Sequence, residues 1–128
     1  MNEILFVGQK EDSYSNLYNI LKTFPNITLM HTQTGKSALV LTKWNKIDLV
    51  IVCDHLNDMT GLEFVRQLVL VNPIINVYFV SSKPKEKFHK ESEGLGILGQ
   101  IPIQSTKRDI EQVLLHLSGI INHQPNTC

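Results

Sequence analysis

Short apolar runs alternate along this chain with longer stretches in which apolar residues recur every three or four positions. Continuous apolar runs are typical of strands buried on both faces, and the longer spacing is typical of amphipathic helices. The runs predict five strands, at residues 4–7, 27–31, 49–52, 76–80 and 97–103. A helical pattern follows each of them, with Thr34 and Thr60 placed to cap the second and third helices.

This strand–helix alternation predicts an α/β domain built on one parallel sheet. The first, third and fourth runs are apolar enough for central strands, whereas the second and fifth are more polar and suit edges, where Pro102 is tolerated. The strand order is therefore expected to be 2-1-3-4-5, as in a flavodoxin-like (βα)5 fold. Functional residues of such folds lie at the carboxyl ends of the strands, here residues 8–12, 53–58, 81–82 and 103–104.

The composition of the chain excludes several classes of protein. The chain has 128 residues, with 12 Lys and Arg against 12 Asp and Glu, which argues against nucleic-acid and polybasic membrane-surface binding. No apolar run approaches the roughly 20 residues of a membrane span, no signal peptide is visible, and two cysteines make no disulfide framework. We expect a cytoplasmic domain over residues 1–121, a flexible tail over 122–128, and no attached output domain.

One segment resembles a known family. Residues 48–63, DLVIVCDHLNDMTGLE, resemble the third strand and following loop of response-regulator (CheY-like) receiver domains, in which a loop ending in Gly-Leu-Glu opens the next helix. The resemblance covers residues 3 to about 121. It implies a role in two-component, phosphorelay signal transduction.

The resemblance also assigns the positions of the receiver phosphorylation site. In the family the acceptor Asp precedes the loop glycine by eight residues, and counting back from Gly61 gives Cys53. The remaining positions are the acidic metal-binding pair, the hydroxyl after strand 4, the aromatic switch and the lysine of strand 5. They fall on Gly8 and Gln9, Ser81, Gln100 and Ile103, respectively.

Only the hydroxyl position keeps its family chemistry. Phosphoryl transfer needs its developing charge neutralised, and Mg²⁺ requires hard oxygen ligands. Gly8 has no side chain, Gln9 is neutral, Cys53 is a soft ligand and Ile103 carries no ammonium group. We therefore expect a degenerate receiver that is not an enzyme, uses no cofactor or metal, and acts by phosphorylation-independent protein–protein interaction.

Two alternatives stay open at the third strand. Asp54 would become the acceptor, and Mg²⁺ would then be needed, if a one-residue slip or a β-bulge re-aimed it. Successive strand residues point to opposite faces, so residue 54 is expected to face away from residue 53. The second alternative is a redox or metal-responsive thiol at Cys53, although its activation requires a nearby cation or helix N-terminus.

The expected output surface is the one that receivers use, made by helix 4, strand 5 and helix 5. Here it would include Phe88, Ile101 and Ile103. Phe88 is the only large apolar residue in the charged stretch 83–93, which suggests a partner anchor on a solvated helix. The expected partner is a sensor kinase, a downstream signalling protein or a second copy of the chain.

Overall fold

The computed structural model describes residues 2–8 and 15–122 and forms a single five-stranded parallel sheet between two layers of helices. In chain order the elements are β1 (Asn2–Val7), α1 (Ser15–Lys22), β2 (Ile27–Thr32), α2 (Gly35–Trp44), β3 (Leu49–Cys53), α3 (Gly61–Val71), β4 (Val77–Val80), α4 (Lys85–Glu91), β5 (Gly99–Ile101) and α5 (Lys107–Asn122). The strand order β2-β1-β3-β4-β5 confirms the predicted fold, with β2 and β5 at the edges.

The hydrophobic core lies on both faces of the sheet. Alternate residues of β1 and β3 point to opposite sides, so that Phe6 packs with α1 and α5 while Val7 packs with α2, α3 and α4. The central strands β3 and β4 are buried along their whole length, which explains why their sequences are apolar without interruption.

Predicted helix starts agree with the observed caps. The Thr34 hydroxyl accepts a hydrogen bond from the Ser37 amide at 3.1 Å, and that of Thr60 accepts one from the Glu63 amide at 3.1 Å. Strand β5 and helix α4 are shorter than their predicted patterns, and each is bounded by a proline, Pro102 or Pro84. The predicted tail, apart from Asn122, lies outside the described residues.

The structure corrects the prediction that Phe88 and Ile101 belong to a partner surface. Phe88 is only 6% exposed, and its ring lies 5.2 Å from that of Phe79 between centroids. Ile101 is 1% exposed and pairs with Val80 of β4. Phe88 is the only large apolar residue of the short, charged helix α4, and it attaches this helix to the sheet. It is therefore a core residue.

Candidate functional site

The carboxyl ends of β1 and β3 bring Gly8 and Cys53 against each other. The two strands pair with Val7 opposite Val52, so the next residue of each lies at the same level of the sheet. A Cβ atom at position 8 would lie 2.5 Å from the Cys53 sulfur and 2.9 Å from its Cβ. The thiol therefore fills the space that a side chain at position 8 would need.

Cys53 is fully buried in the core layer formed with α1 and α5. Burial raises the pKa of its thiol well above the ordinary value, and the negative charge of Asp54 raises it further. The protonated thiol is a poor nucleophile and a poor metal ligand.

Asp54 lies in a different environment, as strand alternation predicts. It lines a cavity of about 170 Å³ with residues of α3 and the loop before it, and with Lys83. Its Oδ1 atom is buried and has no hydrogen-bond partner among the described residues. Burial raises the pKa of the Asp54 carboxyl, while the Ser81 hydroxyl and the charge of Lys83 act in the opposite direction.

Ser81 lies at the end of β4 in the turn that leads to α4. Its amide donates to the Ile101 carbonyl at 3.1 Å, and its hydroxyl accepts from the Lys83 amide at 3.1 Å. The Lys83 ammonium reaches the Glu91 carboxylate at 2.7 Å, which ties this turn to the last residue of α4. The retained hydroxyl thus takes part in the hydrogen bonding of the turn.

Gln100 holds the same turn from the neighbouring strand. Its side-chain amide donates to the Ser81 carbonyl at 3.1 Å and to the Lys83 carbonyl at 2.9 Å. From the sequence, Gln100 was recognised only as the residue that stands where receiver domains have the aromatic switch. A side chain with two amide protons on an edge strand is the sequence feature that could have indicated these two hydrogen bonds.

Ile103 and Asp58 complete the surroundings of the site. Ile103 is half-buried and packs against the layer of α1 and α5. Asp58, which sequence reasoning missed, accepts hydrogen bonds from the backbone amides of Gly35 at 2.7 Å and Lys36 at 3.1 Å. Its carboxylate therefore anchors the loop after β3 to the first turn of α2.

The described residues at this edge do not form a donor set that fits Mg²⁺. Gly8 offers no ligand and the buried Cys53 thiol is soft and protonated. Across residues 2–8 and 15–122, no three His, Cys, Asp or Glu side chains are grouped as a metal ion would require. Gln9, with the nearby acids Glu11 and Asp12, lies outside the described residues.

Family comparison identifies the domain that carries this site. The family model described as "Response regulator receiver domain" matches residues 4–115, which is most of the chain. The chain belongs to the response regulator receiver domain family. The predicted family is thereby confirmed, and receiver domains are modules of two-component signalling.

Solved receiver structures share the fold over nearly the full length. A CheY-like receiver domain protein from Methanospirillum hungatei is 18% identical, with a TM-score of 0.81 over 97% of this chain and 99% of that one. The chemotaxis response regulator CheY4 of Vibrio cholerae is 16% identical, with a TM-score of 0.79 over 91% and 98%, respectively.

A third similar structure is the signal receiver domain of an HD domain-containing protein from Pseudomonas fluorescens, which is 23% identical. Its TM-score is 0.77 over 96% of this chain and 93% of that one. No curated protein matches the sequence. None of the helices in the described part of this receiver is long and apolar enough to cross a membrane.

Proposed function

We propose that this receiver acts in the cytoplasm through protein–protein interaction, without phosphorylation at the acceptor position. The observation that carries the proposal is the contact between Cys53 and Gly8. At the position where the family has a carboxylate acceptor, this chain has a buried thiol, and the thiol fills the space beside Gly8.

The chemistry of phosphoryl transfer supports this reading. An acceptor must be accessible and nucleophilic, and the charge that develops on the phosphoryl group must be neutralised. Cys53 is buried and protonated, and Ile103 offers an aliphatic side chain where the family has an ammonium group. The proposed activity is therefore binding rather than catalysis, with no metal or other cofactor.

The proposed partner is a sensor kinase or a downstream signalling protein, with self-association as the alternative. The surface made by α4, β5 and α5 remains the proposed contact area. With Phe88 and Ile101 in the core, recognition there would fall to the charged side chains of α4 and to the exposed face of α5.

Asp54 carries the second candidate function, that of a phosphorylated receiver. The observation in its favour is the buried Oδ1 atom, which has no partner in the described part of the chain and lies in a cavity that Lys83 also lines. This function would require Mg²⁺, whereas the described residues around Asp54 form no cluster of three candidate ligands.

Mass spectrometry of the intact protein distinguishes the two candidates. The wild type and Asp54→Asn are incubated with acetyl phosphate and Mg²⁺, and the mass is read before the label hydrolyses. We expect no phosphoryl adduct on either protein. An adduct on the wild type that Asp54→Asn abolishes would establish the second candidate, and an adduct on both would contradict the two together.

A further inference from the structure

Exposed apolar side chains are concentrated on one part of the surface. Among the described residues, six large apolar side chains are exposed, and five of them lie on α2, on α3 or just after α3. These five are Val40, Trp44, Leu70, Val71 and Ile74. Trp44 is 75% exposed and Leu70 is 84% exposed. Apolar surface grouped in this way marks contact sites in soluble proteins.

The patch contains a groove between the two helices. A cavity of about 620 Å³ is lined by Leu39 and Val40 of α2, and by Leu70 and Val71 of α3. Thr42, Gln67 and Asn72 add neutral polar groups, and among the described residues of the lining Lys43 is the one that carries a charge. A groove with this apolar floor, between two helices, fits the nonpolar face of a third helix.

The charges around this α2–α3 groove are mostly basic, and the acids lie at the N-terminal ends of the helices, with Glu63 in the first turn of α3 and Asp58 beside the first turn of α2. Residues 35–46 include Lys36, Lys43 and Lys46 but no Asp or Glu, and residues 64–76 also contain no acid. The Lys43 ammonium lies 5.6 Å from the centre of the Trp44 ring, and within the part of the chain described it forms no salt bridge. It is therefore available to an acidic group on an incoming partner.

We propose that the α2–α3 groove binds an amphipathic helix of a partner protein whose apolar face is flanked by Glu or Asp. A two-fold contact between copies would bring the same patch against itself, so both sides would carry the basic residues Lys43 and Lys46. Like charges disfavour that arrangement, whereas an acidic helix complements the lysines. The inference goes beyond the proposed function, because the groove binds whether or not residue 53 or 54 is phosphorylated.

Fluorescence of Trp44 provides the test, because it is the only tryptophan of the chain. The probe is a synthetic amphipathic helix with a leucine face flanked by Glu, and the comparison peptide has Lys at each Glu position. We expect the acidic peptide to shift Trp44 emission to the blue and to perturb amides of α2 and α3. The lysine peptide should bind about tenfold more weakly, and added salt should reduce the difference.

Three variants of the full chain test whether the peptide binds in the groove. Leu70→Ser should weaken binding of the acidic peptide about tenfold, and Lys43→Glu should remove the preference for it. Leu115→Ser, an exposed apolar residue on α5, should change nothing. Equal binding of both peptides, insensitivity to Leu70→Ser, or a dimer that Leu70→Ser dissociates in the ultracentrifuge would overturn the proposal.

Discussion

The Cys53 side chain is buried in the core, where its thiol is a poor nucleophile. Burial and the neighbouring carboxylate of Asp54 raise the thiol pKa, and the packed core excludes reagents. In Cys128→Ser, which leaves Cys53 as the single thiol, we expect the reaction with a disulfide reagent at neutral pH to be roughly a hundredfold slower than in the unfolded chain. A rate near that of the unfolded protein would restore the redox hypothesis.

The Asp54 carboxyl should make the free energy of unfolding depend on pH. Its pKa is raised above the ordinary value of 3.8, so the folded state binds the proton more readily than the unfolded state. The contribution of Asp54 to stability is therefore fully present below pH 3.8 and is lost as the pH rises through the raised pKa. Asp54→Asn should increase the free energy of unfolding near pH 7 by at most about 1 kcal/mol, because partial exposure screens the charge. This gain should disappear near pH 3.

Asp58 supplies a control of opposite sign for this pH dependence. Hydrogen bonds from the Gly35 and Lys36 amides lower the pKa of its carboxyl below 3.8, so its contribution is present above 3.8 and lost as the pH falls. Asp58→Asn should therefore reduce stability at neutral pH. Urea unfolding of both variants at several pH values checks the two signs, and equal signs would contradict this assignment.

At the scale of elements, Gly61 sets how closely α3 approaches β3. A Cβ atom there would lie 2.1 Å from the Cys53 carbonyl oxygen and 2.7 Å from the Phe79 ring. Gly61→Ala should therefore lower the free energy of unfolding by about 2–3 kcal/mol. At Gly35, the first residue of α2, the three atoms nearest to an added Cβ all belong to the flexible Met59 side chain, which can move aside, so Gly35→Ala should change stability by less than about 1 kcal/mol. Similar losses in urea unfolding would contradict this explanation.

The Gln100 side chain is one of the groups that hold the turn between β4 and α4. Gln100→Ala removes the two hydrogen bonds to the Ser81 and Lys83 carbonyls, so amide exchange in residues 81–85 should accelerate, at a cost of about 1–2 kcal/mol. Gln112→Ala, an exposed residue of α5, is the matched control. Unchanged exchange in Gln100→Ala would show that the turn is held by other contacts.

At the scale of the whole molecule, the sequence predicted the features that depend on local pattern. The apolar runs of β3 and β4, the two threonine caps and the edge positions of β2 and β5 all follow from periodicity and burial. The role of Phe88 could not be predicted in this way, because a helical pattern does not say whether one large side chain faces the sheet or a partner.

Contacts between distant segments were also beyond the sequence pattern. Gln100 meets Ser81 across 19 positions, and Asp58 meets Gly35 across 23. The burial of the Asp54 Oδ1 atom, with no partner in residues 2–8 and 15–122, is visible only once β3, α3 and the β4–α4 turn are assembled. Such side chains acquire their roles from the tertiary fold, and a single sequence places them only at a strand end or in a loop.

The acceptor edge of this receiver is proposed not to respond to a phosphoryl group. The most direct test of this proposal is a comparison of the ¹H–¹⁵N spectra of the protein with and without Mg²⁺ plus beryllofluoride, a mimic of the phosphorylated carboxylate. We predict unchanged amide positions for residues 53–60 and 81–83. Saturable shifts at these amides that Asp54→Asn abolishes would show that the acceptor edge binds the phosphoryl mimic through Asp54, which is the opposite of the prediction.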